Sequence, residues 1–319
     1  MNCFPDLIGN LRVREHIVRT LCQRPSHAYL FAGPEGVGKY HLAVRFAQGL
    51  ACPQAIEQPC SCQSCRQIAA GTHPDVHLLL PQGDTVKLEE AKRLRDWGQF
   101  RPLAIRWVIN IIDQADRLTA EASAALLKLL EEPPPQVINI LVTSRPQFLL
   151  PTILSRCQRL SFQSVPTGQI EQWLRQQGCT EAEAVARIAA GRPAEALRWA
   201  EKDQWKKRQR YLEWSLQVAS DNFPLAVADK ILKEKDKQTL VDFLSVLLSL
   251  WRDLAVGPFD MDGVVNRDQA TNIIQVAAGR PSYRWAEGCL SIEETLELLG
   301  TPVNMTLRLP ALLLILAQT

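Results

Sequence analysis

Apolar positions fall into two regimes along the chain. In the first half, short continuous apolar runs alternate with segments of helical period. His27–Ala32, Val76–Leu80, Arg106–Asp113 and Val137–Thr143 are runs of strand length without polar alternation, the pattern of strands buried on both faces. Between them, Leu42, Val44, Phe46 and Ala47 predict a helix over 41–50, and Leu88, Ala91, Leu94 and Trp97 one over 86–100. Thr119 is a fitting N-cap for a third helix over 121–132, which Pro133-Pro134-Pro135 stops. Strand and helix in alternation predict a parallel α/β sheet. From about residue 166 the strand pattern ends. Helices are expected over 170–177, 181–190 and 194–200, and residues 205–319 hold no strand-rich stretch; 240–256 is strongly apolar and helical. Val13, Ile17, Val18 and Leu21 predict a first helix, suited either to cover a nucleotide base or to act as ordinary packing.

The chemistry gathers at Gly33-Pro34-Glu35-Gly36-Val37-Gly38-Lys39-Tyr40, between the first strand and its helix. It satisfies GxxxxGK, a loop whose backbone N–H groups cradle phosphates at a helix start. A complete loop continues with Ser or Thr, whose hydroxyl ligates Mg²⁺. Tyr40 stands there, with its hydroxyl at the far end of a ring. Gly33, Gly36, Gly38, Lys39 and Tyr40 are therefore candidate nucleotide contacts. Asp113, at the tip of the third apolar run, is the candidate acid of a Walker B strand. The next residue in an active ATPase is usually Glu; here it is Gln114, whose amide accepts no proton. Two groups needed at one chemical step are absent.

Cys52, Cys60, Cys62 and Cys65 crowd into one short excursion, four of nine cysteines in the chain. Four thiolates complete a closed tetrahedral shell, so the expected occupant is structural Zn²⁺; a redox pair is the rival reading, without a thioredoxin-like setting. His73, beside Pro74, reads as a loop or packing residue. Arg156 follows a short helix, and by pattern alone is a surface charge or an arginine finger. Lys202, Lys206, Lys207, Arg208 and Arg210, with Trp205 and Tyr211 interleaved, read as a solvated helix face, with nucleic-acid contact the less favoured reading. The balance of 36 basic and 34 acidic residues, net +2, gives no strong polyanion field. MNCFPDLIGN shows no signal-peptide pattern, and the apolar stretch 309–317 is too short to span a bilayer. A cytoplasmic protein is expected, without a membrane partner.

HAYLFAGPEGVGK, the cysteine cluster, GTHPDV, the acid-tipped strand followed by ASAALLKLLEEPP, and LPTILSRCQRL together carry a specific likeness. The chain resembles the delta-prime family of bacterial DNA polymerase III clamp-loader subunits over nearly its whole length. The resemblance implies an AAA+ P-loop α/β domain over 1–165 with an inserted zinc module at about 52–65. It implies a small helical lid over 166–204 and an all-α collar over 205–319. It also implies a five-membered ring with delta and the gamma/tau motor subunits, which opens the sliding β clamp and places it on primed DNA. In that family Arg156 matches the arginine finger acting on ATP held by the adjacent motor. Cys52, Cys60, Cys62 and Cys65 match the zinc ligands, with one spacing a residue shorter. Gly33, Gly38 and Lys39 match the phosphate loop, and Asp113 the Walker B acid. Tyr40, Gln114 and Ala194, where motors carry an Arg, depart from the motor pattern. The implied role is a stator that belongs to the polymerase holoenzyme without catalysis of its own, ATP or ADP being at most held. The alternative is a gamma/tau-type ATPase motor, which needs a hydroxyl at position 40 and an acid at position 114.

Overall fold

The computed structural model describes residues 4, 6–81, 85–86, 88–98, 101–221, 223–234, 236–299, 301 and 303–318. The chain divides into two compact units, one of residues 1–170 and 191–194, the other of 171–190 and 195–319.

The first unit is built on five parallel strands, β1 (Ala28–Ala32), β2 (Val76–Leu79), β3 (Val108–Ile112), β4 (Val137–Thr143) and β5 (Gln158–Ser161), in the order β2-β3-β4-β1-β5. Every residue of β1, β3 and β4 is buried, which is why these strands read as unbroken apolar runs. Side chains alternate between two cores. Tyr29, Phe31, Ile109, Ile111, Ile138 and Ile140 point to one, and Ala28, Leu30, Ile112 and Leu141 to the other. Helices α1 (Leu11–Leu21), α2 (Lys39–Ala51), α3 (Gln54–Glu57) and α4 (Gln63–Ala69) precede β2; α5 (Leu88–Gly98) precedes β3; α6 (Ala120–Glu131) and α7 (Pro151–Leu154) flank β4. Phe46 and Leu42 of α2 fill the first core, and Leu126, Leu129 and Leu130 of α6 the second. Thr119 caps α6 as its sequence implies, its hydroxyl accepting from the Ala122 N–H. Helix α5 starts two residues later than expected because Val86 pairs with Leu118 in an isolated parallel bridge. Its expected end, Phe100, lies outside the described residues.

One polar pair interrupts the apolar runs. Asn110 and Asn139 face each other on β3 and β4, both fully buried, and the Asn110 amide donates to Asn139 Oδ1 at 2.9 Å. Asp75 is the second buried polar anchor. It sits just before β2 and accepts from the backbone N–H groups of Leu103, Ala104 and Ile105 at 2.6–2.9 Å. His73 is buried and accepts the Asp75 N–H on Nδ1, so it packs the turn, as the sequence reading holds. Burial alone would raise the Asp75 carboxyl, but the three N–H donors prevail and hold it below the usual carboxylate range.

The second unit is helical: α8 (Thr167–Gln176) and α10 (Pro193–Ala200) span its boundaries. α9 (Ala182–Ala189), α11 (Lys202–Ala219), α12 (Pro224–Lys233), α13 (Lys237–Val256), α14 (Ala270–Ala277), α15 (Ser282–Leu298) and α16 (Met305–Gln318) complete it. Helix α13 is the axis, packed against α11, α14 and α15 with Trp251 stacked edge-on against Trp285. The basic run on α11 corrects one expectation. Arg208 is fully buried, paired with Asp268 at 2.9 and 3.0 Å and bonded to Asn266 at 2.7 Å. It pins α11 to the loop before α14, while Lys202, Lys206 and Arg210 stay exposed on the same helix. No helix among the described residues is long and apolar enough to cross a membrane.

Asp75→Ala is expected to lower stability by about 1.5–3 kcal/mol at pH 7, because three backbone N–H groups lose a charged acceptor. The Asp75 pKa is depressed in the folded state, so its contribution is present above the ordinary carboxylate pKa. It vanishes as pH falls through the depressed value; urea melts of both proteins at several pH values read the difference.

Candidate functional site: a phosphate loop and a four-cysteine cluster

The carboxyl ends of β1, β3 and β4 open onto a cleft of about 680 Å³. Its walls include Glu35, Gly36, Gly38, Lys39, Tyr40, Asp113, Gln114, Asp116, Thr143, Arg145 and Phe148. Phosphate-loop and acid-strand candidates, far apart in sequence, thus share one wall. Parallel strands put all their carboxyl ends on one edge, which is where such sheets bind ligands.

The loop requires glycine. Gly33 adopts φ 153°, and a Cβ there would run into the Phe162 backbone; Gly36 sits at φ 75°. Gly38 caps α2 without a side-chain partner, leaving the first N–H groups of a 13-residue helix directed at the cleft end of β1. Lys39 is 7% exposed and its ammonium donates to the carbonyls of Gly33 at 2.8 Å and Pro34 at 2.5 Å. An ammonium has three donors, so one remains for an anion in the loop. Burial lowers the Lys39 pKa against the pull of Asp113, Glu35 and Asp116, and burial raises the Asp113 carboxyl against the Gln114 N–H and Lys39. Each group of the pair is thus held closer to neutrality than in water.

Tyr40 is half-buried, its ring against the Phe31–Phe46 core. Burial and the neighbouring Asp113 push its phenol up, so it presents a neutral hydroxyl. A neutral phenol on a core-packed ring is no substitute for the compact alcohol that ligates Mg²⁺. Gln114 adopts a left-handed φ of 47° and opens the turn 115–117. Asp116 accepts from Thr143 Oγ1 at 2.5 Å, and Thr143 Oγ1 in turn accepts the Arg145 N–H. Thr143 is the residue that sequence reasoning missed. It is the polar end of an otherwise apolar strand facing the loop, and that position was its only signal.

Arg156 does not line this cleft. It follows α7, about one-third exposed, with its guanidinium paired to Glu131 at 2.8 Å and donating to the Thr152 carbonyl at 3.0 Å.

The four cysteines come together as expected. Cys52 ends α2, Cys62 caps α4, Cys65 lies within α4, and all four sulfurs lie within 4.8 Å of one another. Cys52 and Cys60 sulfurs are 3.8 Å apart. A tetrahedral site with metal–sulfur bonds of about 2.3 Å sets sulfurs about 3.8 Å apart, so the cluster fits a metal ion. The Cys65 N–H donates to Cys62 Sγ, which draws that thiol down to about 7, while burial raises Cys52 and Cys65. The module is tied to the phosphate-loop helix. Arg45 of α2 donates to Gln48 Oε1 and the Ala55 carbonyl, Gln48 donates to the Cys65 carbonyl, and Asp6 pairs with Arg45.

A parallel five-stranded module with a phosphate loop, a cysteine cluster inserted after the phosphate-loop helix α2, and a helical continuation place the chain in the class of P-loop nucleotide-fold proteins. The comparisons are specific. The model of the family "DNA polymerase III, delta subunit" matches residues 13–166. The delta' subunit of DNA polymerase III from Bacillus subtilis (strain 168) is 32% identical over 306 residues, 92% of each chain. The chain belongs to the DNA polymerase III delta' family. The tau subunit of the same organism is 37% identical over 170 residues, but these are 52% of this chain and 30% of that one. In structure, a gamma subunit-related protein of Thermotoga maritima aligns over 96% of this chain and 98% of its own, with TM-score 0.59 at 16% identity, a likeness of fold.

Purified protein is expected to carry a chelatable metal ion, and Cys65→Ser to lose it together with several degrees of melting temperature. Affinity falls as pH is lowered, because protons compete for thiols that burial already holds above their ordinary value. Elemental analysis and thermal melts check this; a metal-free wild-type chain with an unchanged melt would contradict it.

Proposed function

We propose that this chain is the stator of a DNA polymerase III clamp loader. It holds its place in a hetero-pentamer with delta and gamma/tau subunits and donates Arg156 in trans to ATP on a neighbouring motor. It does not itself hydrolyse ATP. The ring then loads the β sliding clamp onto primer-template DNA in the cytoplasm. The observation that carries this reading is the cleft: the phosphate loop is intact around Lys39, yet Tyr40 and Gln114 occupy the positions where hydrolysis needs a metal-binding alcohol and a base. Full-length likeness to a delta' subunit supports it further.

The tau likeness favours a second reading, a motor, but it stops at about half the chain, and the two substitutions remove the motor's chemistry. Within the reading, Gly33, Gly36, Gly38, Lys39, Tyr40 and Asp113 hold ATP or ADP without turnover. Cys52, Cys60, Cys62 and Cys65 hold structural Zn²⁺, which stabilises the module through its four thiolates. Residues 166–204 form the lid and 205–319 the collar that joins the ring. Arg156 supplies positive charge where the neighbour's γ-phosphate gathers negative charge, at an exposed position its own cleft does not use.

The isolated chain is expected to bind a fluorescent ATP analogue and to show no turnover above buffer. In the reconstituted loader, Arg156→Ala should leave assembly intact and lower clamp-stimulated, DNA-stimulated ATPase by about 10-fold or more, a finger being worth up to about 10³–10⁵-fold in rate. Turnover by the isolated chain, or normal loader ATPase in the variant, would overturn the reading.

A further inference from the structure

We propose that Glu131 is the positioning residue for Arg156: it fixes the guanidinium in the orientation from which it reaches a neighbour's phosphate. The proposal rests on the reading of Arg156 as a finger in trans.

Glu131 is the last residue of α6, and Glu132 and Pro133 end the helix there. Arg156 stands two residues beyond the last residue of α7. The two helix ends are held by the core beneath them. Leu129 and Leu130 of α6 are 3% and 2% exposed, and Leu149 and Ile153 around α7 are 5% and 0% exposed, in one apolar cluster. The separation between Glu131 and Arg156 is therefore set by packing and not by the surface side chains.

On that base the guanidinium is held from two directions. One terminal nitrogen pairs with Glu131 Oε1 at 2.8 Å. The other donates to the Thr152 carbonyl at 3.0 Å, and lies 3.5 Å from Ser155 Oγ. A guanidinium carries five N–H donors in a rigid plane. Nη1 donates to both Thr152 and Ser155, while one N–H of Nη2 and the Nε–H lie outside these contacts, so the fork remains able to bind an anion. A carboxylate on one side and a carbonyl on the other thus orient the plane without consuming it. The residue pattern that fits this is the spacing from the glutamate of the LLEEPP stretch to the arginine of the SRC stretch, 25 positions on and brought together by β4 and α7.

A flexible arginine samples many rotamers, and charge stabilisation in a transition state depends on position to within about 1 Å. Loss of the tether is expected to affect turnover more than ATP binding, since the ground-state nucleotide is held by the motor's own loop. The test uses the reconstituted loader with clamp and primed DNA, comparing wild type, Glu131→Ala, Glu131→Gln and Arg156→Ala. Glu131→Ala should lower kcat by about 10-fold with KM for ATP within about 2-fold, while Glu131→Gln, whose amide oxygen still accepts from the guanidinium, recovers most of the loss. Gel filtration and melting of each variant are expected to match wild type, because Glu131 is about half exposed. Wild-type kcat in Glu131→Ala beside an inactive Arg156→Ala overturns the positioning role. A Glu131→Gln rate no higher than that of Glu131→Ala overturns it too. Full activity in Arg156→Ala is the failure of the finger reading itself, and the role of Glu131 falls with it.

Discussion

Helix α2 carries the first unit, and the buried side chains of Arg45 and Gln48 are how it does so. At its start the helix supplies the N–H groups of the phosphate loop; at its end it supplies Cys52. Arg45 and Gln48, 5% and 6% exposed, reach from the middle of the helix to the Ala55 and Cys65 carbonyls, and Asp6 meets Arg45 from the chain's opening segment. Removing one partner would leave charged or amide groups buried without acceptors, at a cost of several kcal/mol. The same hydrogen bonds therefore serve loop, cysteine module and N-terminal segment. A metal ion in the cysteine cluster would stiffen the far end of the helix on which the phosphate loop rests.

The site separates what a phosphate cradle needs from what hydrolysis needs. A phosphate cradle depends on backbone shape, and the glycines and the strand-to-helix turn that make it are intact. Hydrolysis depends on two side chains placed at one point, and those two are changed to Tyr40 and Gln114. Shape is tied to the core through Phe31, Phe46 and Phe162; Tyr40 packs its ring on the same core, and both Tyr40 and Gln114 line the cleft.

Much of this was legible in the residues. Strands buried on both faces announce themselves as unbroken apolar runs, so β1, β3 and β4 were placed to within two residues. The GxxxxGK loop, the acid after β3 and the cysteine cluster each carry a spacing that only a few chemistries use. What stayed hidden has a common cause: it depends on partners distant in sequence. Arg208 reads as one of five basic residues on a surface helix, and nothing local reveals that Asp268 and Asn266, some 60 positions on, draw it inside. Strand β5 is exposed at three of its four positions, so no apolar run marks it. Thr143 and Asp116 look unremarkable apart, and Glu131 looks like a helix-end charge until α7 brings Arg156 to it.

The asparagine pair at the centre of the sheet has a consequence for how the strands find each other. Val and Ile side chains on β3 and β4 are nearly interchangeable, so a slip of the two strands would repack apolar surface against apolar surface at little loss. Asn110 and Asn139 break that degeneracy. They meet only in the native alignment; a slide of two positions would set each amide against hydrocarbon, at about 1–3 kcal/mol for each unsatisfied group. The pair thus acts as a key for strand alignment. Through it, the strand ends that deliver Asp113 and Thr143 are set within one residue of each other at the phosphate loop.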